Sequence, residues 1–265
     1  MPFEIEYICI SHPGKYRSKN EDNFVCRFDY MPASNNGTDE PVCAHVDAAD
    51  SPLFGVFDGM GGEDCGEIAA YIAARNAAGI TPGGEPDDVL EEFCRGANAE
   101  ICQYIVDTDY RSMGTTAAML LFDKKYIHLC NLGDSKVLYY SDDTLTQISH
   151  DHVAEAADGR KPPLLQNLGI PENELTLTPY LSIGRYYNGD QFLICSDGLT
   201  DMVSNARISE ILALGGELDV TAKMLLDAAL DGGGRDNITF ILLKTVKKPL
   251  FAKKQKSVFA EDDNG

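Results

Sequence analysis

The sequence predicts an α+β fold, and two observations carry that reading. Strand-like runs come in blocks and helical patterns come in pairs, without the strict alternation that builds a parallel sheet. Short apolar runs are separated by Gly, Asp and Ser turn signals, as antiparallel neighbours require. In chain order, FEIEYICI alternates as a strand over 3–10 and DNFVCRF as another over 22–28. MPASNNGTDEP (31–41) is a turn-rich loop, and PLFGVFD (52–58) is a short apolar run ending on Asp58 before G-M-G-G. Residues 63–78 read as a helix of small residues, and 86–107 as a second helix with apolar positions at helical spacing. Runs at 115–122, 126–132, 136–140 and 145–148, separated by D-K-K, G-D-S and S-D-D, predict one antiparallel meander. The polar segment 151–167, with Pro162-Pro163, predicts an exposed loop, and 190–195 predicts a strand just before Asp197. Helical patterns over 198–214 and 217–230 precede G-G-G-R-D-N and a last strand, 237–244. The expected boundaries are one domain over 1–246 and a mobile charged tail over 247–265.

The chain has 265 residues, is 44% hydrophobic and 24% charged, and carries a net charge of −20, which together describe a globular chain rather than a disordered or fibrous one. Residues 244–265 hold six Lys against three acids, which leaves −23 on the rest. A surface that acidic repels phosphodiester backbones and anionic lipid, so neither nucleic acid nor membrane is an expected partner. Glu4 and Glu6 stand where a signal peptide needs a basic start and an apolar run, so a cytoplasmic location is expected. Eight Cys form no C-x-x-C pair and no zinc-ligand spacing, and most lie among apolar neighbours as buried free thiols do.

Acidic residues at strand ends are the chemical signal. Glu21 and Asp22 open a strand, while Asp58, Asp197 and Asp236 each abut a strand end with a Gly beside them or two residues away. Singly, an Asp-Gly pair is a turn. As a set, strand ends of one fold converge on one rim, and several ionised carboxylates there need a cation or protons to offset them. Oxygen donors without organised His or Cys favour Mn²⁺ or Mg²⁺, and two such ions can activate a shared water or hydroxide for attack on a phosphoryl group. No stretch supplies an EF-hand loop, and no G-K-[ST] follows the glycines as a P-loop requires.

Six motifs, R-S-K-N-E-D (17–22), V-F-D-G-M-G-G (56–62), M-G-T-T-A (113–117), N-L-G-D-S-K (131–136), C-S-D-G-L-T-D-M-V (195–203) and G-G-R-D-N-I-T (233–239), occur in this order. In that order they resemble the metal-dependent PPM/PP2C protein serine/threonine phosphatases, most of all the compact bacterial members, over about residues 4–244. The resemblance implies a four-layer αββα sandwich, two antiparallel sheets face to face with helix pairs outside, and a cleft holding two Mn²⁺ or Mg²⁺ ions tightly. It implies that Asp58 bridges both metals, that the Gly59 carbonyl ligates one, and that Glu21 or Asp22 serves the second partly through water. Asp197 and Asp236 would complete the first, Asp134 would bind a third, weaker ion, and Arg17 would grip the substrate phosphate. The implied substrates are phosphorylated proteins, and the implied counterpart is a Ser/Thr kinase.

Other candidates read as structural. His150-Asp151-His152 is expected to be surface or support, and Ser135, Ser196 and Thr115 have no arranged His base that would make a nucleophile. Cys65 and Cys195 lack the C-x₅-R spacing of thiol phosphatases. Met60 stands where animal and plant relatives often carry His, Glu63 replaces the usual His after D-G-M-G-G, and the flap 151–167 is shorter than in many relatives. Two alternatives stay open: a catalytically silent binding module on the same scaffold, and a phosphatase dedicated to one regulatory partner.

Overall fold

Ten residues, Phe3–His12, form β1, and both its faces are covered. Ile5, Tyr7 and Cys9 pack to one side while Ile8 and Ile10 pack to the other, which is why FEIEYICI is apolar at nearly every second position and beyond. The computed structural model describes residues 2–61, 65–81, 83–108, 110, 112–155 and 161–248. Glu63, residues 156–160 of the flap and residues 249–265 of the expected tail lie outside them.

Two antiparallel sheets make the core. The first runs β10 (Thr144–Gln147), β9 (Lys136–Ser141), β12 (Gln191–Cys195), β13 (Ile238–Lys247), β1 and β3 (Val42–Asp47). The second runs β11 (Tyr180–Arg185), β8 (Tyr126–Leu132), β7 (Ala117–Phe122), β4 (Leu53–Phe57) and β2 (Asn23–Cys26). Between them lies an apolar layer that includes Phe54, Phe122, Phe192 and Ile241. Phe122 meets Phe54 and Phe192 edge-on at 6.0 and 5.8 Å between centroids, a favoured aromatic geometry. A short ribbon, β5 (Gly59–Met60) with β6 (Gly114–Thr115), stands at one end.

Helices cover the outer faces. The pair α1 (Gly66–Ala78) and α2 (Pro86–Thr108) packs on the second sheet through Ala69, Ala70, Ala73, Leu90, Phe93 and Met119. The small residues of α1 let it lie close to its neighbours. On the first sheet, α3 (Asp197–Thr200), α4 (Asn205–Ala213) and α5 (Leu218–Asp231) contribute Leu199, Ile208, Ile211 and Leu225 against Phe240 and Leu242. The result is the four-layer αββα sandwich.

Several sequence expectations need correction. The expected meander is two hairpin halves in different sheets: β7 pairs with β8 and β9 with β10, and the chain crosses between sheets at Gly133-Asp134-Ser135. Strands β3 and β11 were not expected; both are edge strands with exposed positions such as His45, Tyr180 and Ile183. The helix expected over 198–214 is interrupted at 201–204, where the Ser204 hydroxyl accepts the Arg207 amide at 3.3 Å and restarts it as α4. Strand β13 runs to Lys247, opposite Phe3, and Lys248 Nζ donates to Asp47 Oδ2 at 2.6 Å, so ordered structure extends slightly into the expected tail.

Candidate metal centre

Strand registers decide where the acidic residues meet. Asn23 opposes Phe57, Ala117 opposes Leu132, Cys195 opposes Phe240, and His12 opposes Ile238. The residues just beyond those pairs, Glu21, Asp58, Asp134, Asp197, Asp236 and the 13–22 loop with Arg17, therefore leave the sandwich at the same end. They line a cleft of about 330 Å³ together with Gly59, Met60, Gly61 and Lys161. Among the residues expected at the site, Asp22 is the exception: it is 2% exposed, and its carboxylate accepts the Ser196 hydroxyl at 2.8 Å beneath the cleft wall.

The backbone that presents Asp58 is pinned from three sides. Its N–H donates to Thr116 Oγ1 at 3.0 Å, and its carbonyl accepts the Thr116 N–H and the Thr115 hydroxyl, each at 3.0 Å. Thr116 Oγ1 in turn pairs with Ser135 Oγ at 2.6 Å, which ties the M-G-T-T-A motif to the G-D-S turn. Asn237 performs the same task on the opposite wall. Its side chain accepts the Glu21 amide at 2.8 Å and donates to the carbonyls of Lys19 and Pro13 at 2.9 and 3.1 Å. These threonines, serines and the asparagine are supports, so Thr115, Ser135 and Ser196 have fixed hydrogen-bonding work instead of a nucleophile's role.

Close backbone contact explains both Asp-Gly pairs. A Cβ on Gly59 would lie 2.2 Å from the Gly66 carbonyl oxygen and 2.4 Å from that of Glu21. One on Gly198 would lie 1.8 Å from the Asn237 oxygen. Glycine at these positions lets neighbouring chain segments approach within contact, which draws the carboxylates on them together.

The collected charge shows in the protonation behaviour. Burial, reinforced by Asp22, Asp134 and Asp236, holds the Asp58 pKa well above the usual carboxylate range. Burial raises Asp22 to about 7 despite hydrogen bonds from Ser196 and Thr239. Burial and the nearby Glu67 carboxylate also raise Glu21. Two side chains answer with positive charge. Lys161 Nζ sits 3.2 Å from Asp134 Oδ2 and on Asp197 Oδ2, and Arg17 donates to Asp236 Oδ2 at 2.8 Å with Glu21 3.9 Å away. Partial burial pulls the Lys161 pKa down, but Asp134, Asp58 and Asp201 outweigh it and raise the value. Among the described residues no three His, Cys, Asp or Glu side chains converge on a single point, and Asp134, Asp197 and Asp236 are each paired with Lys161 or Arg17. The donor set is nonetheless all oxygen and strongly acidic, and it fits hard divalent cations.

Lys161 is the feature that sequence reasoning passed over. Its signal was a basic residue in the flap, indistinguishable by composition from a solvated surface charge. His152, by contrast, is buried support: its N–H donates to the Gly133 carbonyl at 2.9 Å, and its Nδ1 accepts the Gly133 N–H at 3.3 Å, anchoring the flap base to the turn that carries Asp134. Asp151 accepts Gln147 Nε2 at 2.6 Å and pairs with Lys136, away from the cleft. Cys65 and Cys195 are free and buried.

The fold recurs among solved structures. The catalytic domain of the serine/threonine protein phosphatase PstP, in complex with two manganese ions, superposes with a TM-score of 0.73 at 29% identity, covering 92% of this chain and 100% of that one. The S. agalactiae serine/threonine phosphatase superposes with a TM-score of 0.75 at 25% identity, covering 92% and 100%. The sequence model of protein phosphatase 2C matches residues 39–225, and the chain belongs to this family. Full-length PstP of Mycobacterium tuberculosis is 32% identical over 213 residues, which is 75% of this chain and 41% of PstP, so the match spans less than half of that relative. The serine/threonine phosphatase stp of Listeria innocua is 29% identical over 215 residues, covering 73% of this chain and 84% of that protein.

Proposed function

We propose that the protein is a Mn²⁺- or Mg²⁺-dependent phosphatase that removes phosphate from phosphoserine and phosphothreonine in proteins, opposing a Ser/Thr kinase in the cytoplasm. The observation that supports it most is the meeting of Glu21, Asp58, Asp134, Asp197 and Asp236 in one cleft with the Arg17 guanidinium at its edge. The family resemblance of each motif and the manganese ions of the PstP catalytic domain point the same way.

In this reading Asp58, the Gly59 carbonyl, Asp197, Asp236 and Glu21 hold two ions, and Asp134 holds a third more weakly. Glu21 rather than Asp22 faces the ions, since the Asp22 carboxylate lies beneath the wall and keeps the Ser196 hydroxyl. Bound Mn²⁺ or Mg²⁺ would offset the clustered negative charge and acidify the water needed for hydrolysis. Arg17 is half exposed and has donors beyond the one given to Asp236, so it can grip a phosphoryl oxygen without leaving its carboxylate. Thr115, Thr116 and Asn237 keep Asp58 and Glu21 in place while charge redistributes. Met60 cannot supply a proton to the leaving group, and the described residues lining the cleft include no histidine.

The test is release of phosphate from a phosphothreonine peptide with Mn²⁺ and then with chelator. Activity should vanish with chelator, and Asp58→Asn should lose at least ~10³-fold in rate together with tight Mn²⁺ binding by calorimetry. Unchanged two-site Mn²⁺ binding in Asp58→Asn would sink the assignment. A protein that binds the phosphopeptide but never releases phosphate would instead be the silent binding module.

A further inference from the structure

Beside the acidic cleft runs a second concavity of opposite character, and the two share a wall. Met60 and Gly61 line both the cleft and a groove of about 500 Å³. The groove is floored by Met113 and walled by Cys102, Ile105 and Val106 from α2 and by Ile170 and Pro171. Residues 102, 105 and 106 fall on one helical face by their spacing, so the last turns of α2 present an apolar stripe here. Val106, at 74% exposure, is a large aliphatic side chain left in solvent at the groove edge.

The groove is a built feature. Its floor leads directly into β6, which pairs with the strand carrying Gly59: Met60 opposes Gly114 and Gly59 opposes Thr115. The opposite wall is clamped to α2 by one side chain. Asn98 Oδ1 accepts the Gly169 N–H at 2.7 Å, and Asn98 Nδ2 donates to the Ile170 carbonyl at 2.9 Å. Gly169, with φ +106°, lets that wall approach, since a Cβ there would lie 2.3 Å from the Met113 carbonyl oxygen. Cleft and groove are therefore fixed relative to each other by backbone pairing through the β5–β6 ribbon.

From this continuity the geometry points to a specificity subsite: the groove takes an apolar side chain of the phosphoprotein substrate, flanking the phosphorylated Ser or Thr. The inference rests on the phosphatase reading of the cleft. A substrate chain that places its phosphate by Asp58 and Arg17 and runs over the shared wall at Met60 and Gly61 enters the groove with residues flanking the phosphorylated one. Apolar lining rewards Leu or Phe there, and Glu174 at the groove repels an acidic residue. The cleft selects phosphate, while the groove selects its neighbourhood.

The experiment compares turnover of phosphothreonine peptides that differ at single flanking positions, Leu or Phe against Gly or Asp, with a small aryl phosphate as control. In the wild type at least one flanking position should favour Leu or Phe over Gly by about tenfold in kcat/KM, with Asp worst. Val106→Glu, which charges the exposed edge, and Ser112→Phe, which fills the groove from an exposed position, should each reduce that preference below about threefold. Both should hydrolyse the aryl phosphate within about twofold of wild type, because it reaches only the cleft. Aryl phosphate turnover with no flanking preference, or with a preference that both variants retain, overturns the subsite. No turnover of aryl phosphate or any peptide by the wild type overturns the phosphatase reading itself, and the subsite with it.

Discussion

Lys161 has a dual effect on the cleft that single-residue substitution can separate. Its ammonium lies 3.2 Å from Asp134 and bridges to Asp197, two of the carboxylates proposed as ligands. In metal-free protein it offsets like-charge repulsion; toward an incoming cation it is a competitor that must be displaced. Lys161→Met keeps the aliphatic stem and removes the charge. The expected outcome is tighter Mn²⁺ binding, by about tenfold or ~1.4 kcal/mol, read by calorimetry. Unchanged or weaker Mn²⁺ binding would show that the lysine does not compete. At this scale the sequence was informative about carboxylates and silent about their partners. Asp58, Asp134, Asp197 and Asp236 lie in motifs with a Gly close by, and their grouping follows from strand ends. Choosing Glu21 over Asp22 for the cleft required the fold, because both precede β2 in a loop whose path is set by partners far away in sequence, Asn237 for the Glu21 amide and Ser196 for the Asp22 carboxylate. Thr116 and Asn237 lay inside the quoted motifs, yet their work is hydrogen bonding to backbone 58 and 216 residues away in sequence, which no local pattern encodes.

Central strands were legible, and so were two edge strands, β2 and β10, whose short apolar or alternating runs mark them, while the edge strands β3 and β11 were not, for a physical reason. A strand buried on both faces, such as β1 or β13, must be apolar along its length, whereas β3 and β11 have one neighbour and carry polar or exposed residues that imitate a loop. The split of the expected meander has a related cause. Period two says that 126–132 and 136–141 are strands but not that a three-residue turn carries the chain from one sheet to the other. That crossover puts Asp134 on the cleft. The turn after β12 makes a testable element of the same kind. Gly198, the second residue of α3, lies against the backbone just before β13, and a Cβ would stand 1.8 Å from the Asn237 carbonyl oxygen. Gly198→Ala should force Asp197 away from Asp236 and destabilise by about 3 kcal/mol or more, measured by urea unfolding. A loss under about 1 kcal/mol would mean that the two segments separate freely and that close packing is not what gathers these carboxylates.

The whole molecule carries −20 and gathers five carboxylates in the cleft at one end, where protons and divalent cations are alternative ways to offset them. Asp22, raised to about 7, and Asp58 and Glu21, also raised, keep protons in the folded state that the unfolded chain releases above about pH 4. The sign follows from linkage: where the native state binds more protons, stability falls as pH rises, so these groups drain stability from metal-free protein up to their folded pKa values. Asp47 and Glu100, with lowered pKa values, act in the opposite sense but lose their contribution only below the ordinary carboxylate range. Half-buried His12 and buried His152, also lowered, favour the fold as pH rises through their range. Comparing protein with and without metal at each pH cancels the histidines and those two acids, because none of them lines the cleft, and leaves the competition between proton and metal. Excess Mn²⁺ should raise Tm more at pH 8 than at pH 6. At ~100 times Kd the stabilisation is about 2.7 kcal/mol, and at about 2–4 °C per kcal/mol for a chain of this size the shift at pH 8 is about 5–10 °C. The same shift should shrink in Asp58→Asn at both pH values. An equal or larger shift at pH 6 would mean that Mn²⁺ stabilises the chain at carboxylates with ordinary pKa values elsewhere on its acidic surface, and that the buried cluster does not hold the ions.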